Sequence, residues 1–250
     1  MNKLKNKVAV ITGGNSGIGF GIAEAFKNDG AVGTIVGRNK ETLNSAVAKL
    51  GDGFIAINAD VTNLADLESM FKETTEKFGK IDVVVANAGA GTTGTVVDTT
   101  EADYNKAMDL NLKSVYFTVQ KALPYMNDGG SVILIGSNAA HRAYPAFGLY
   151  GAAKAAVIYL AKGFSNDLLQ RKIRVNVITP GTTDTPAFDK FVPAEQIEAV
   201  KTHFASVMPI GRIGQPSDIG KTALFLASDD SSFMLGAELL VDGGMTYLSK

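Results

Sequence analysis

Residues 7–19 read KVAVITGGNSGIG, a short apolar run that leads into a turn with four glycines in seven residues. The apolar part predicts a buried first strand, and residues 18–29 predict the helix that follows the turn. In this position the backbone can approach a pyrophosphate, and the helix N-terminus supplies free N–H groups. The spacing of Gly13, Gly17 and Gly19 differs from the general dinucleotide fingerprint. The alternative is therefore a tight strand-to-helix connection that binds no ligand.

The alternation of a short apolar run and a longer amphipathic stretch continues along the chain. It predicts repeated βα units and hence a parallel sheet. The further predicted strands are residues 31–36, 54–58, 81–86, 131–136, 173–179 and 238–241. The further predicted helices are residues 41–50, 64–78, 101–126, 150–170, 194–207 and 216–228. The irregular stretch of about residues 180–193 is too long for a plain connection, which predicts a substrate loop or lid near residues 180–210.

Composition limits the class of protein. The chain has 250 residues, 46% of them hydrophobic, which suits one large α/β domain spanning residues 1–250. The net charge of −1 gives no electrostatic reason to expect nucleic acid or a membrane as a partner. There are no cysteines, and the two histidines, His141 and His203, lie far apart, so we expect no metal site. We find no signal peptide and no apolar run near the roughly 20 residues of a membrane span, and we expect a cytoplasmic protein.

Three side chains near the middle of the chain predict acid–base chemistry. Ser137 ends the predicted fifth strand, and Tyr150 and Lys154 are four residues apart, which places them on one face of a helix. The ammonium group of Lys154 can stabilise a tyrosinate and so lower the pKa of Tyr150 from its usual value of about 10. A serine hydroxyl beside that tyrosine can donate to a carbonyl oxygen. The alternative is a half-buried aromatic residue and a solvated lysine.

The end of the second predicted strand indicates which nicotinamide cofactor binds. The dinucleotide fingerprint expects an acidic residue that bonds the ribose 2′-hydroxyl. No Asp or Glu occurs between Asp29 and Glu41, and residues 37–40 read GRNK. The guanidinium of Arg38 can hold a 2′-phosphate, so we predict NADP(H) in preference to NAD(H). The alternative is that Arg38 and Lys40 are solvated charges at the start of a helix.

Polar residues elsewhere leave two interpretations open. Asp60 follows the third strand, where it either accepts from an adenine amino group or caps a helix. The sequence Asn87-Ala88-Gly89 follows the fourth strand and suits either a ligand crevice or a structural turn. Asn111 lies inside a predicted helix, where the local sequence favours an exposed side chain.

These motifs, in this order, resemble the short-chain dehydrogenase/reductase family over nearly the whole chain. The resemblance is carried by residues 12–19, 87–89, 111, 137, 150–154 and 180–181. It implies a single Rossmann-type domain, a doubly wound parallel sheet with helices on both faces in three layers. It also implies a homotetramer with the two long helices and the C-terminal segment at its interfaces, and the apolar stretch of residues 233–241 is consistent with that.

The resemblance further implies roles for individual residues. Tyr150 would be the general acid/base, Lys154 would lower its pKa and hold the nicotinamide ribose, and Ser137 would orient the carbonyl. Asn111 would support a water-linked proton relay to Lys154, and Asp60 would face the adenine. The residues implied in cofactor binding are Gly13, Asn15, Ser16, Gly17, Ile18, Gly19, Arg38, Asn39, Asp60, Val61, Asn87, Ala88, Gly89, Tyr150, Lys154, Pro180, Gly181, Thr183 and Thr185.

The chain departs from the family pattern at a few positions. Ala86 stands where relatives often have Asn, which should have a mild effect. Asn15 and Ser16 occupy the place of a basic residue that many NADP-binding relatives carry, so the NADP prediction depends on Arg38. Leu149 precedes the tyrosine where reductases of acyl-carrier-protein substrates often have Asn.

The predicted function is reversible hydride transfer between NADP(H) and a small-molecule ketone, aldehyde or secondary alcohol. Two alternatives stay open. One is a 3-oxoacyl thioester (acyl-carrier-protein) reductase of fatty acid synthesis, and the other is a catalytically silent scaffold that senses NADP(H). For the substrate pocket we expect residues 90–93 and 138–144 together with Phe147, Phe188 and Phe191.

Overall fold

The computed structural model describes residues 2–188 and 192–249. Within them, seven parallel strands form one sheet with the order β3-β2-β1-β4-β5-β6-β7. The strands are β1 Val8–Thr12, β2 Val32–Gly37, β3 Phe54–Asn58, β4 Ile81–Ala86, β5 Met126–Ile135, β6 Arg174–Pro180 and β7 Glu238–Val241. The predicted α/β architecture with a parallel sheet is confirmed.

Eight α-helices occur in the described part of the chain. They are α1 Gly17–Asn28, α2 Lys40–Leu50, α3 Leu64–Phe78, α4 Glu101–Met108, α5 Ser114–Ala122, α6 Gly148–Asp167, α7 Ile197–Val207 and α8 Pro216–Ala227. Apolar residues of α3, α5 and α6 cover one face of the sheet, among them Phe71, Val119 and Val157. Apolar residues of α1, α2 and α8, including Phe26, cover the other face. The sheet is therefore doubly wound, and because both faces are buried the central strands are almost continuously apolar.

Local signals in the sequence determine where several helices begin and end. Asn39 caps α2, because its side chain accepts a hydrogen bond from the backbone N–H of Thr42 at 3.0 Å. Thr100 and Asp103 form a reciprocal capping box at the start of α4. Gly51 follows the end of α2 with a φ of +71°, a conformation that favours glycine.

The predicted helical stretch over residues 101–126 is helical from Glu101 to Tyr125, but it is not a single α-helix. Helix α4 ends at Met108, a π-helical turn occupies Asp109–Lys113, and α5 follows. A short 3₁₀ turn containing Pro124 leads into β5 at Met126, five residues before the predicted start. A π-turn holds an extra residue and so rotates the side chains that follow it. The amphipathic pattern of the sequence could not reveal that local change of period.

Candidate active site

The carboxyl ends of β1 and β4 lie next to each other at the point where the strand order reverses. In open parallel sheets ligands bind in the crevice at that point. The hydroxyl of Thr12, the last residue of β1, accepts from the backbone N–H groups of Asn87 and Ala88 at 3.0 Å each. The Asn87 side chain donates to the Thr12 carbonyl at 2.8 Å. Asn87 therefore has a structural role, holding together the two loops that border the crevice.

The glycine turn between β1 and α1 leaves little room for side chains at Gly13, Gly14 and Gly19. A Cβ atom on Gly19 would lie 2.2 Å from the Gly13 carbonyl oxygen and 2.6 Å from the Asn87 amide nitrogen. Gly13 also has a φ of +65°, which glycine adopts without strain. The backbone of the turn and the free N–H groups at the start of α1 thus form an open cradle of the kind that fits a pyrophosphate.

A cleft of about 500 Å³ extends from this turn to Tyr150 and Lys154. Its volume is within the usual range for cofactor and ligand sites. Most of the residues predicted for the site line it: Gly13, Asn15, Ser16, Gly17, Ile18, Gly19, Arg38, Asn39, Val61, Asn87, Ala88, Gly89, Ser137, Tyr150, Lys154, Pro180, Gly181 and Thr185. The cleft has glycine backbone at one end and a phenol with an ammonium group at the other. This set of donors fits a nicotinamide dinucleotide.

Three predicted residues are absent from the lining of the cleft: Asp60, Asn111 and Thr183. Thr183 is buried, and its hydroxyl donates to the Gly181 carbonyl at 3.0 Å. The lining also includes residues that sequence analysis did not single out, namely Val36, Ala59, Leu110, Ile135, Gly136, Pro186 and Ala187. Several of these directly precede or follow a predicted residue at the end of a strand. Proximity to a strand end was the signal that could have identified them.

At one end of the cleft the exposed guanidinium of Arg38 lies beside Asp60. Its Nη1 atom is 3.7 Å from Asp60 Oδ2. The other oxygen of Asp60 accepts from the backbone N–H and the hydroxyl of Thr62 at 2.9 and 2.8 Å. Burial raises the pKa of the Asp60 carboxyl, but the Thr62 hydrogen bonds and the Arg38 charge outweigh it, and the pKa is lowered. The helix-cap interpretation of Asp60 is wrong, because Asn63 caps α3.

At the other end of the cleft Tyr150 lies near Ser137 and Lys154. Burial raises the pKa of the Tyr150 phenol above 10, and a hydrogen bond with the Ser137 hydroxyl offsets part of that rise. The pKa of Tyr150 is therefore raised, whereas the sequence analysis predicted that the Lys154 charge would lower it. The reason is geometric: the Lys154 amine lies 5.9 Å from the centroid of the Tyr150 ring and donates elsewhere. The phenol is therefore protonated at neutral pH.

Lys154 is almost completely buried, on the same face of α6 as Tyr150. Its ammonium donates to the Ile135 carbonyl at 2.8 Å. Burial lowers the pKa of Lys154 from 10.5 to about 8, because the charged form is poorly solvated. A buried lysine with a pKa near neutrality beside a phenol is typical of a functional site.

Asn111 lies in the π-turn between α4 and α5 and is fully buried, so the exposed side chain favoured by the local sequence is wrong. Its Oδ1 accepts from the Ala90 N–H at 3.0 Å and its Nδ2 donates to the Ala107 carbonyl at 3.0 Å. A Cβ atom on Gly89 would lie 3.0 Å from Asn111 Oδ1 and 3.3 Å from Lys154 Nζ. The π-turn thus brings Asn111 close to Lys154, against the loop after β4.

Phe147 and Phe188, both expected in the substrate pocket, are absent from the lining of the cleft. The Phe147 ring packs edge-on against Tyr150, with centroids 6.0 Å apart. Phe188 packs similarly against Phe204 of α7 at 6.3 Å. Phe191, also expected in the pocket, lies outside the described residues. Arg142, one of the residues 138–144 expected in the pocket, donates to the Met245 carbonyl at 3.1 Å.

Residues 2–188 and 192–249 contain neither a metal-ligand cluster nor a helix able to span a membrane. No group of three or more acidic, histidine or cysteine side chains is placed to hold a metal ion there. No helix in that part of the chain has both the length and the hydrophobicity of a membrane span.

Comparisons with known proteins agree with this geometry. Residues 13–246 match the family model described as Enoyl-(Acyl carrier protein) reductase. The chain is 39% identical over 250 residues to Oxidoreductase asL5 of Sarocladium schorii, covering 99% of both chains. It is 36% identical over 252 residues to an NADP-dependent (R)-specific alcohol dehydrogenase of Lentilactobacillus kefiri, covering 98% of both.

Solved structures with the same architecture include one from Serratia marcescens described as a short-chain dehydrogenase/reductase. It superposes with a TM-score of 0.90 at 30% identity, over 98% of this chain and 99% of that one.

Proposed function

Because the chain belongs to the short-chain dehydrogenase/reductase family and is an oxidoreductase acting on carbonyl and alcohol groups, we propose that it is NADP(H)-dependent, with Tyr150 as the general acid/base. The observation that carries the proposal is that Ser137, Tyr150 and the buried Lys154 line the same cleft as the glycine turn. This activity is favoured over the acyl-carrier-protein reductase and the silent scaffold, since related chains are named oxidoreductase and alcohol dehydrogenase.

The chemistry divides between cofactor and protein. The nicotinamide, when bound, supplies or accepts the hydride. Tyr150 donates a proton to the carbonyl oxygen during reduction, a role that suits a phenol whose raised pKa keeps it protonated at neutral pH. Ser137 donates a hydrogen bond to the same oxygen, and that bond strengthens as negative charge develops there. In this scheme Lys154 holds the nicotinamide ribose and Asn111 supports proton supply to Lys154.

The proposal includes a preference for NADP(H) over NAD(H). It is supported by Arg38, which is exposed at the edge of the cleft with Asn15 and Asn39 beside it. The Asp60 carboxylate, 3.7 Å from Arg38, is already engaged by Thr62 and leaves much of the guanidinium free. One relative of the chain is named NADP-dependent.

We further propose that the whole chain acts as one domain in the cytoplasm, as a homotetramer acting on a small-molecule carbonyl or alcohol. Residues 180–210 would form the lid over the substrate. Two contacts support the lid: Lys201 of α7 lies 2.9 Å from Asp184, and Phe204 packs against Phe188. Both connect α7 to the loop that carries Thr185 into the cleft.

Replacing Tyr150 by Phe tests the chemistry. The Tyr150→Phe variant should lose about 10³-fold in kcat, because no other group donates the proton, while NADPH binding changes little. The measurement is turnover on a panel of ketones and alcohols, with NADPH affinity followed by fluorescence titration. Full activity in Tyr150→Phe would remove Tyr150 from the mechanism. Binding of NADPH by the wild type without turnover on the panel would support the silent scaffold.

Replacing Arg38 by Gln tests the cofactor preference. The Arg38→Gln variant should raise KM for NADPH about tenfold or more, because a charge-assisted contact to the 2′-phosphate is lost, and should leave KM for NADH nearly unchanged. Lys40→Gln, which removes a neighbouring exposed charge, is the matched control and should have little effect. The role of Arg38 would be refuted if KM for NADPH rose equally in Arg38→Gln and Lys40→Gln. It would also be refuted if Arg38→Gln raised KM for NADPH and KM for NADH equally.

A further inference from the structure

A hydrogen-bonded chain of three side chains connects the segment after Ser137 to the last two strands of the sheet. His141 Nε2 lies 2.6 Å from Glu238 Oε1, and the hydroxyl of Thr179 donates to the same oxygen at 2.5 Å. Thr179 is fully buried, whereas the side chains of His141 and Glu238 are about a quarter exposed. We name these three residues the His141–Glu238–Thr179 link.

The link joins two segments that both border the cleft. His141 ends the 3₁₀ turn Asn138–Ala140, which begins directly after Ser137. Thr179 precedes Pro180 and Gly181 at the carboxyl end of β6, and Glu238 begins β7. Because one carboxylate oxygen accepts from both His141 and Thr179, a shift of either segment would lengthen a hydrogen bond.

The Thr179 hydroxyl also lies close to the backbone before Ser137. A Cβ atom on Gly136 would be 2.8 Å from Thr179 Oγ1. The Gly136 N–H donates to the Ile178 carbonyl at 2.8 Å. The Ser137 hydroxyl in turn accepts from the Ala139 N–H at 3.2 Å, so the conformation of the 3₁₀ turn affects the orientation of that hydroxyl.

We propose that His141 and Glu238 are positioning residues for Ser137. Acting through Thr179, they hold the turn after Ser137 against the end of β6, so that the Ser137 hydroxyl meets the substrate oxygen at hydrogen-bond distance. The proposal rests on the proposed function, in which Ser137 and Tyr150 act on the same oxygen. A small displacement of such a group lowers the rate even when binding is retained.

Replacing His141 tests the link. His141→Phe keeps a planar ring and removes the hydrogen bond, and we expect kcat to fall about tenfold while KM for NADPH stays within about twofold. His141→Gln restores an N–H donor at a similar distance and should recover most of kcat. Thr179→Val removes the hydroxyl without changing the shape of the side chain and should resemble His141→Phe. It serves as the second variant if His141→Phe does not fold.

Asp128→Ala is the matched control. It removes a polar link to Arg171, 2.8 Å away, at the opposite end of β5 from Ser137. This variant should alter the melting temperature at most and leave kcat unchanged. A kcat within about twofold of wild type in both His141→Phe and Thr179→Val overturns the positioning role. Losses of kcat, NADPH affinity and melting temperature in parallel, without rescue by His141→Gln, also overturn it.

The outcome separates this role from the proposed function. A wild-type kcat in both His141→Phe and Thr179→Val, with an inactive Tyr150→Phe, refutes the link alone. An active Tyr150→Phe refutes the proposed function, and the role of the link with it.

Discussion

At the scale of single residues, burial has more influence on the chemistry of the cleft than charge does. Lys154 and Tyr150 are four residues apart on α6, as the sequence predicted, and both pKa values are shifted by burial in the direction that favours the neutral form. The phenol thus remains protonated, and the amine loses its proton near pH 8. A phenol that is protonated at neutral pH has the proton that reduction of a carbonyl requires.

The lowered pKa of Lys154 predicts a pH dependence of stability. Its pKa is about 8 in the folded chain and 10.5 in the unfolded chain, so between these values the unfolded chain binds more protons. Stability attributable to this group therefore rises with pH across that window. Relative to Lys154→Met, the wild type should gain about 2 kcal/mol in free energy of unfolding between pH 8 and pH 10.

Urea unfolding of both proteins at the two pH values measures this change. Lys162→Met, on the exposed side of the same helix, is the control, and its difference from wild type should be nearly constant with pH. If the difference in free energy of unfolding between wild type and Lys154→Met is also constant with pH, the pKa of the buried amine is the same in the folded and unfolded chains.

At the scale of secondary-structure elements, the βα repeat was predictable and the interruption of a helix was not. The strands and the glycine turn are defined by adjacent residues, since apolar runs and glycines act through local backbone preferences. The π-turn at Asp109–Lys113 is different, because the buried hydrogen bond between Asn111 and the Ala90 N–H comes from another loop. A local pattern contains no information about that partner.

The start of β5 shows the same limit. Residues 126–130 include Asp128 and two glycines, a composition that does not suggest a strand. They are nevertheless part of β5, where Met126 pairs with Ile81 of β4 and the register shifts before the next pair. Tertiary pairing overrides weak local preference here.

At the scale of the whole molecule, an apolar surface lies beside the edge strand β7. Phe233 is fully exposed and Leu235 is half exposed, just before that strand. Because β7 is paired on one side only in the described sheet, its outer side is open to association. This surface is consistent with the proposed homotetramer.

Mutation of this surface tests the assembly. The double variant Phe233→Ser with Leu235→Ser should shift the protein from tetramers to smaller species, because apolar area at the interface is lost. Size-exclusion chromatography with light scattering measures the mass. Leu64→Ser, at an exposed apolar residue that starts α3, is the control and should leave the mass unchanged. A wild type that is already monomeric would rule out the tetramer.

The sequence alone determined the α/β class, the glycine cradle and the placement of Tyr150 and Lys154 on one helix face, because each depends on neighbours along the chain or on helical spacing. Only the tertiary structure decided that Asn111 is buried, that Asp60 pairs with Arg38, and that the pKa of Tyr150 rises. Burial, ion pairing and desolvation depend on contacts between residues far apart in sequence. Those contacts form only when the strands take their order in the sheet.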